Sequence, residues 1–421
     1  MYLHIWKGFS GNLRPEVSRA ELVLAGLGMK SHPVEAAELP ELGLVAGAPY
    51  FFYENGLPFT QGNDWLRHIM SPKSTCSNTW RAYAYDVRQY LDYCEAAGRE
   101  WSDSDQAFLQ SYWRSRRLVP DVGERLTSQS WNRHAAAICS FYRYALLMGW
   151  VGELPFDAET ISTRFLEAQL SSYETNSLKE AAPNSIPKWI TVEQYRNKIR
   201  PAALATRQAH RNRSFLDLLV TTGWRLNEGC SQLADEWPHP DCKEFRERKA
   251  IPFLLTRGCK GGRPREVKIP LVKSVVRNVH HYIIGDREEA LHYGISRAKI
   301  ERGSPNLWLT EGGAPLTSGA MGRVITEIFK SAQVDGSAHT LRHTFAVHQL
   351  QASARRYIQQ AVGHRDAEQF RMAMHDPLRR LQKQLGHRWL HTTMIYLDML
   401  PDIDTLAETS LEDWTAVLLS T

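Results

Sequence analysis

The sequence predicts a mainly α protein with a small β-sheet, built as a helical domain followed by a mixed α/β domain. Three observations predict it. Apolar residues recur at helical spacing through residues 63–157. The stretch 158–187, ending in EAAPNSIPKW, has no sustained apolar period and reads as an interdomain linker. Beyond it, IPFLLTRGCKGGRPREVKIPL reads as two strands joined by a turn rich in glycine and basic residues. The expected order is an N-terminal extension (1–62), the helical domain (63–157), the linker (158–187) and the second domain (188–421).

At 421 residues the chain exceeds one ordinary core, which agrees with several domains. Apolar content of 43% and charged content of 23% describe a soluble globular protein. No apolar run is long enough to span a bilayer, so no membrane role is expected. The opening residues lack the basic and apolar regions of a signal peptide, and a reduced cytoplasmic setting is the expectation. The six cysteines contain no C-x-x-C pair, which argues against a zinc site or disulfide framework. Cys94 and Cys139 fall on apolar helical faces and read as core. The net charge is only +5, but residues 1–60 carry four Lys/Arg against six Glu. The basic surplus therefore lies downstream, where a nucleic-acid-binding body would sit.

Taken in order, FFYENGLPF reads as a β-hairpin closed by Asn55-Gly56. A first long helix carries Trp80, Tyr83, Ala84, Val87, Leu91 and Cys94 at helical spacing. A second carries Phe108, Leu109, Tyr112 and Trp113, and a third Trp131, Ala135, Ile138, Phe141, Tyr142 and Ala145. A bundle of four or five helices follows, with the aromatics as core. Arg81, Arg88, Arg133 and Arg143 lie on the polar faces, and Arg263 lies in the later basic turn. All five are candidate phosphate contacts. Thr191 and Gln194 form a capping-box pattern that starts a helix in the second domain. Phe215, Leu218, Leu219 and Thr222 give a buried helical face leading to Gly223 and Arg225.

The chemistry concentrates in HTLRHTF (residues 339–345) and LGHRWLHTTMIYLDM (residues 385–399). His339 and Arg342 share a helix face, extended one turn by His343. The later stretch sets Tyr396 nine residues beyond His387. Guanidinium and imidazole groups gathered in this way suit an anionic phosphate, and a tyrosine hydroxyl can act as a covalent nucleophile. Nothing resembles a P-loop or a cluster of acidic metal ligands.

With Arg225 in TTGWRLNEG and Lys260 in CKGGRPREVKIP, the set resembles the tyrosine recombinases, or phage integrase family. Its pattern is an early Arg, a Lys on a β-hairpin, His-x-x-Arg, a His or Trp, and then the Tyr. The resemblance implies a core-binding domain that clamps DNA and a catalytic domain carrying Arg225, Lys260, His339, Arg342, His387 and Tyr396. It implies site-specific cleavage and rejoining of double-stranded DNA through a 3′-phosphotyrosyl bond, without metal or other cofactor, to integrate or excise a mobile element. The implied roles are Tyr396 as nucleophile, Arg225, Arg342 and His387 as charge stabilisers, Lys260 as general acid and His339 in proton movement at Tyr396. The implied assembly is a homo-oligomer, a tetramer on two DNA sites, with room for accessory proteins. A type IB topoisomerase and a catalytically inactive DNA-binding relative are the alternatives.

The sequence departs from the pattern between His343 and Gly386, which holds about twenty additional residues by the family's customary spacing, so 352–380 reads as an insertion. It contains a rival Gly-His at Gly363-His364, but Ala373, not a tyrosine, stands nine residues beyond His364. That selects His387. His343 and His348 are expected to support the helix rather than touch phosphate. The tail carries Leu406, Leu411, Trp414, Val417 and Leu418 on one face of a helix, packed on its own domain or on a neighbouring protomer.

Overall fold

The computed structural model describes residues 1–5, 47–70, 77–118, 125–165, 169–176, 178–180, 187–260, 268–297, 303–360 and 367–400. They fall into two compact units, Met1–Asn184 and Ser185–Thr421. Each has its own core, and no helix among the described residues is long and apolar enough to cross a membrane.

The first unit packs helices α1 (Thr60–Ile69), α2 (Ser77–Ala96), α3 (Gln106–Arg117) and α4 (Ser128–Leu147). Local chemistry marks where they begin. The Asp105 carboxylate accepts the Phe108 amide at 2.7 Å, and the Thr127 hydroxyl accepts the Ser130 amide at 3.2 Å, each satisfying a free helix N–H. The apolar stripes meet as expected: Trp80, Val87, Trp131, Ile138 and Phe141 are buried, and so are Cys94 and Cys139. Aromatic rings in this core meet edge-on or tilted, as Trp65 and Phe141 do at 5.5 Å between centroids.

One reading of this unit is corrected, the linker at 158–187. Asn55-Gly56 turns the chain as read, and the returning arm pairs back through the bridge Phe52–Pro58, with the Tyr53 amide on the Leu57 carbonyl and the Phe59 amide on the Phe51 carbonyl. Strand β2 (Pro49–Phe52) also pairs antiparallel with β1 (Tyr2–Ile5), and α1 begins directly after the turn at Thr60. The stretch read as a linker contains the antiparallel hairpin β3 (Ala158–Phe165) and β4 (Gln169–Asn176). Past it the chain returns to the bundle: Trp131 donates to the Leu178 carbonyl at 2.7 Å, and Arg117 pairs with Glu180 at 2.7 Å.

The polar-face arginines have partners within the unit. Arg81 donates to the Gly47 carbonyl, Arg88 pairs with Asp92, and Arg133 holds both oxygens of buried Asp86 at 2.7 and 2.8 Å. Arg143 is partly buried on α4, and Arg263 lies outside the described residues.

The second unit opens with the Thr191–Gln194 capping box, both of whose hydrogen bonds form. Its core surrounds α5 (Ala209–Thr222), with Phe215, Leu218 and Leu219 fully buried. Around it lie α6 (Leu226–Cys230), the antiparallel pair β5 (Ala250–Leu254) and β6 (Lys268–Val272), α7 (Lys273–Ile284), α8 (Asp286–Ser296) and α9 (Ser318–Ser331). The long helix α10 (Ala338–Gln360) packs against α11 (Ala367–Leu385) through Leu350, Ala354, Leu378 and Leu381. The stretch read as an insertion is therefore largely helical, forming the end of α10 and the start of α11. A short α12 (His391–Met394) leads to Tyr396.

Candidate active site

Two helix ends meet at the site. Helix α5 ends at Gly223, whose φ of +65° is open to glycine at little cost. An added Cβ there would lie 2.3 Å from the Phe345 ring, so close packing also requires glycine. Helix α11 ends at Gly386, φ +66°, with the His387 amide on the Gln382 carbonyl and the Gly386 amide on the Lys383 carbonyl. That paired bond pattern is a Schellman cap. Terminal carbonyls at both ends still need donors.

Two arginines supply them. Arg342, 1% exposed, donates Nη1 to the Gly223 carbonyl at 2.7 Å and Nη2 to the Leu385 carbonyl at 2.5 Å. Arg225 donates Nη2 to the Gly386 carbonyl at 3.1 Å. Its Nη1 meets Glu228 at 2.8 Å, and the same carboxylate accepts the Arg225 amide at 2.7 Å. Glu228, fully buried, thus orients the Arg225 fork while capping α6. The cations also match the negative ends of the helix dipoles.

Tyr396 is 2% exposed and lies against these groups. Its hydroxyl is 2.9 Å from His343 Nδ1, and its ring stacks on His387 at 6.3 Å between centroids. His387 Nδ1 is itself 2.9 Å from the hydroxyl of buried Thr393, which sets the ring orientation. Burial raises the Tyr396 pKa above the usual phenol value, while Arg342 and Arg225 pull it back down. Packing against its inner side chiefly, then the same two arginines, lowers the pKa of His339, whose outer edge is open to solvent.

His339 stands at the mouth, exposed, with its ring edge-on to His343 at 4.4 Å. It forms part of the wall of a surface depression of about 590 Å³, with Leu226 and Gly322 among its neighbours. Lys260 is exposed at the start of the hairpin turn. That turn is anchored near Arg225: Asn227 of α6 donates to the Gly258 carbonyl at 3.0 Å. A Cβ on Gly258 would fall 2.5 Å from the Asn227 carbonyl, so only glycine permits the approach.

The structure thus brings Arg225, Arg342, His387 and Tyr396 together, sets His339 at the edge beside His343, and leaves Lys260 on the exposed turn. His343 does more than support its helix, since its ring meets the Tyr396 hydroxyl. The signal was present in the four-residue step from His339, which puts both imidazoles on one face. His348, by contrast, does turn toward the helix's own packing, 3.4 Å from the Ile190 carbonyl and edge-on to Trp189. Glu228 and Thr393 had no sequence signal beyond their spacing from Arg225 and His387. Gly363-His364 and the tail helix lie outside the described residues.

Comparison with known proteins places this geometry. Residues 63–149 match the phage integrase N-terminal SAM-like domain, and residues 188–375 match the phage integrase family. The second match stops ahead of His387 and Tyr396, so those two rest on spacing and geometry. Among similar proteins, a tyrosine recombinase XerD from Corynebacterium glutamicum is 29% identical over 306 residues, 71% of this chain and 88% of its own length. A tyrosine recombinase XerC from Pelobacter propionicus is 27% identical over 321 residues, covering 75% of this chain and 90% of that protein. The XerH site-specific recombinase, in its post-cleavage complex with the palindromic difH substrate, shares the fold. Its TM-score is 0.53 at 16% identity, covering 97% of this chain and 99% of that one. The two matched domains and these relatives together establish that the chain belongs to the tyrosine recombinase, or phage integrase, family.

Proposed function

We propose that this chain is a site-specific DNA recombinase that cleaves and rejoins strands through a 3′-phosphotyrosyl intermediate, integrating or excising a mobile element. The observation that carries the proposal is the Tyr396 hydroxyl, hydrogen-bonded to an imidazole and lying in the field of two fixed guanidinium groups. The Tyr396 oxygen attacks a backbone phosphorus, and the bond from phosphorus to the 5′-oxygen breaks. Arg225 and Arg342 stabilise the charge that builds on the non-bridging oxygens, with His387 as a further donor. Because Arg342 is buried, part of its effect is a positive field beneath the phosphate. Lys260, on its exposed turn, protonates the departing oxygen. The covalent bond preserves the phosphodiester for a second strand's 5′-hydroxyl. In the first unit, Arg133 is oriented by Asp86 with half its side chain open, and so suits a backbone phosphate.

The test uses a pool of nicked duplexes of random sequence, in which loss of a short fragment makes cleavage irreversible. The wild-type chain should form an adduct with a subset of the pool, mapping to the peptide that contains Tyr396. No adduct with any duplex, or an adduct on another residue, would overturn the proposal.

Lys260→Ala should be rescued on the selected duplex when sulfur replaces the 5′-bridging oxygen, because a thiolate departs without a proton. Equal impairment on both substrates would remove Lys260 from that role. His387→Ala should slow cleavage by about a hundredfold, the low end for losing one donor at a charged transition state. His364→Ala should stay within a few-fold of wild type, and the reverse ranking would reassign the histidine.

A further inference from the structure

We infer that His343, rather than His339, is the general base that takes the proton of Tyr396 during strand cleavage, an inference that rests on the recombinase reading above. The step balances simply. The proton moves from the Tyr396 oxygen to His343 Nδ1 as that oxygen bonds to phosphorus. The bond to the 5′-oxygen breaks, and that oxygen takes its proton from Lys260. On rejoining, the imidazolium of His343 returns the proton to the departing phenol oxygen.

Geometry is the first argument. A base must lie within hydrogen-bond reach of the proton it removes, and His343 Nδ1 stands 2.9 Å from the Tyr396 hydroxyl. His339 has its ring against His343, not the phenol, and lines a surface depression on its outer side. Position along the helix explains the division. His339 lies on the first turn of α10, at the surface, and one turn deeper the same face reaches the tyrosine.

Charge state is the second argument. The groups facing His343 are His339 and Arg342 from its own helix and Tyr396, backed by His387, from the segment after α11. Burial first, then His339 and Arg342, lowers the His343 pKa to about 4. At neutral pH the ring is therefore uncharged, and with its proton on Nε2 the Nδ1 lone pair is free to accept. A neutral imidazole also avoids placing a third positive charge beside the two arginines before the phosphate arrives. Once the phosphate is bound, its negative charge favours the imidazolium and raises the basicity of His343 where the proton is needed.

Single-turnover adduct formation on the duplex selected by the wild-type chain tests this, with His343→Asn and His343→Ala compared from pH 6 to pH 9. Asparagine can occupy the Nδ1 position and keep a hydrogen bond to the phenol, but it cannot hold the proton. Both variants should cleave about a hundredfold more slowly at pH 7, the scale of general-base catalysis. Their rates should climb about tenfold per pH unit as hydroxide replaces the missing base, while the wild-type profile stays flat. Added imidazole should partly restore His343→Ala. A His343→Asn protein with the wild-type rate and a flat profile would overturn the assignment, as would equal slowing at every pH, the mark of a structural role. Failure of the wild-type chain to form any adduct would bring down the recombinase reading as well, so the two failures are distinct.

Discussion

Tyr396→Phe abolishes the covalent protein–DNA adduct and leaves DNA retention nearly unchanged. The substitution removes one oxygen atom from a ring that stays stacked on His387 and packed among Phe345, Leu350 and Leu385. The hydrogen bond to His343 is lost with it, a stability cost of about 1 kcal/mol, too small to unfold the unit. Phosphate contacts from the arginines do not involve the phenol, so binding survives. Denaturing gel analysis of the adduct alongside a mobility-shift measurement separates the two quantities. An adduct that persists in the phenylalanine variant would place the nucleophile elsewhere.

Arg342→Ala produces the second large effect, and it acts on structure and chemistry together. The side chain is buried and joins the end of α5 to the end of α11 through the Gly223 and Leu385 carbonyls. Removing it leaves two buried acceptors without that donor, at about 1–3 kcal/mol each. It also removes one of the two positive charges that oppose burial at Tyr396. Cleavage should fall at least about a hundredfold, the scale for losing one preorganised donor at a transition state. Arg342→Lys keeps the charge but lacks the planar fork that spans two carbonyls. It should therefore recover part of the cleavage rate and less of the thermal stability. If Arg342→Ala weakens DNA binding alone, with cleavage at saturating DNA unchanged, Arg342 is a phosphate anchor and nothing more.

The mainly α class with a small sheet was legible because it rests on local periodicity. The apolar stripes of α2, α3 and α4 repeat at helical spacing, and the strands flanking the basic turn alternate as strands do. The capping box at Thr191 was equally local, with donor and acceptor three residues apart. The candidate residues could be named for a related reason. His339-x-x-Arg342 and the step from His387 to Tyr396 are short intervals that a helix or turn converts directly into proximity.

What the sequence could not decide depends on partners far apart in the chain. The pairing of β1 with β2 joins segments more than forty residues apart, and no hairpin signal announces it. The return of Leu178 and Glu180 to the bundle depends on hydrogen bonds from Trp131 and Arg117. Most of all, Arg342 reads in sequence as a phosphate ligand. In the fold it also clasps two helix ends, because glycine caps leave carbonyls there that must be satisfied out of reach of water. His343 gained its place at the tyrosine in the same way. The helix alone sets which face it occupies, and only the packing of α11 and the turn behind it against α10 brings the Tyr396 hydroxyl onto that face.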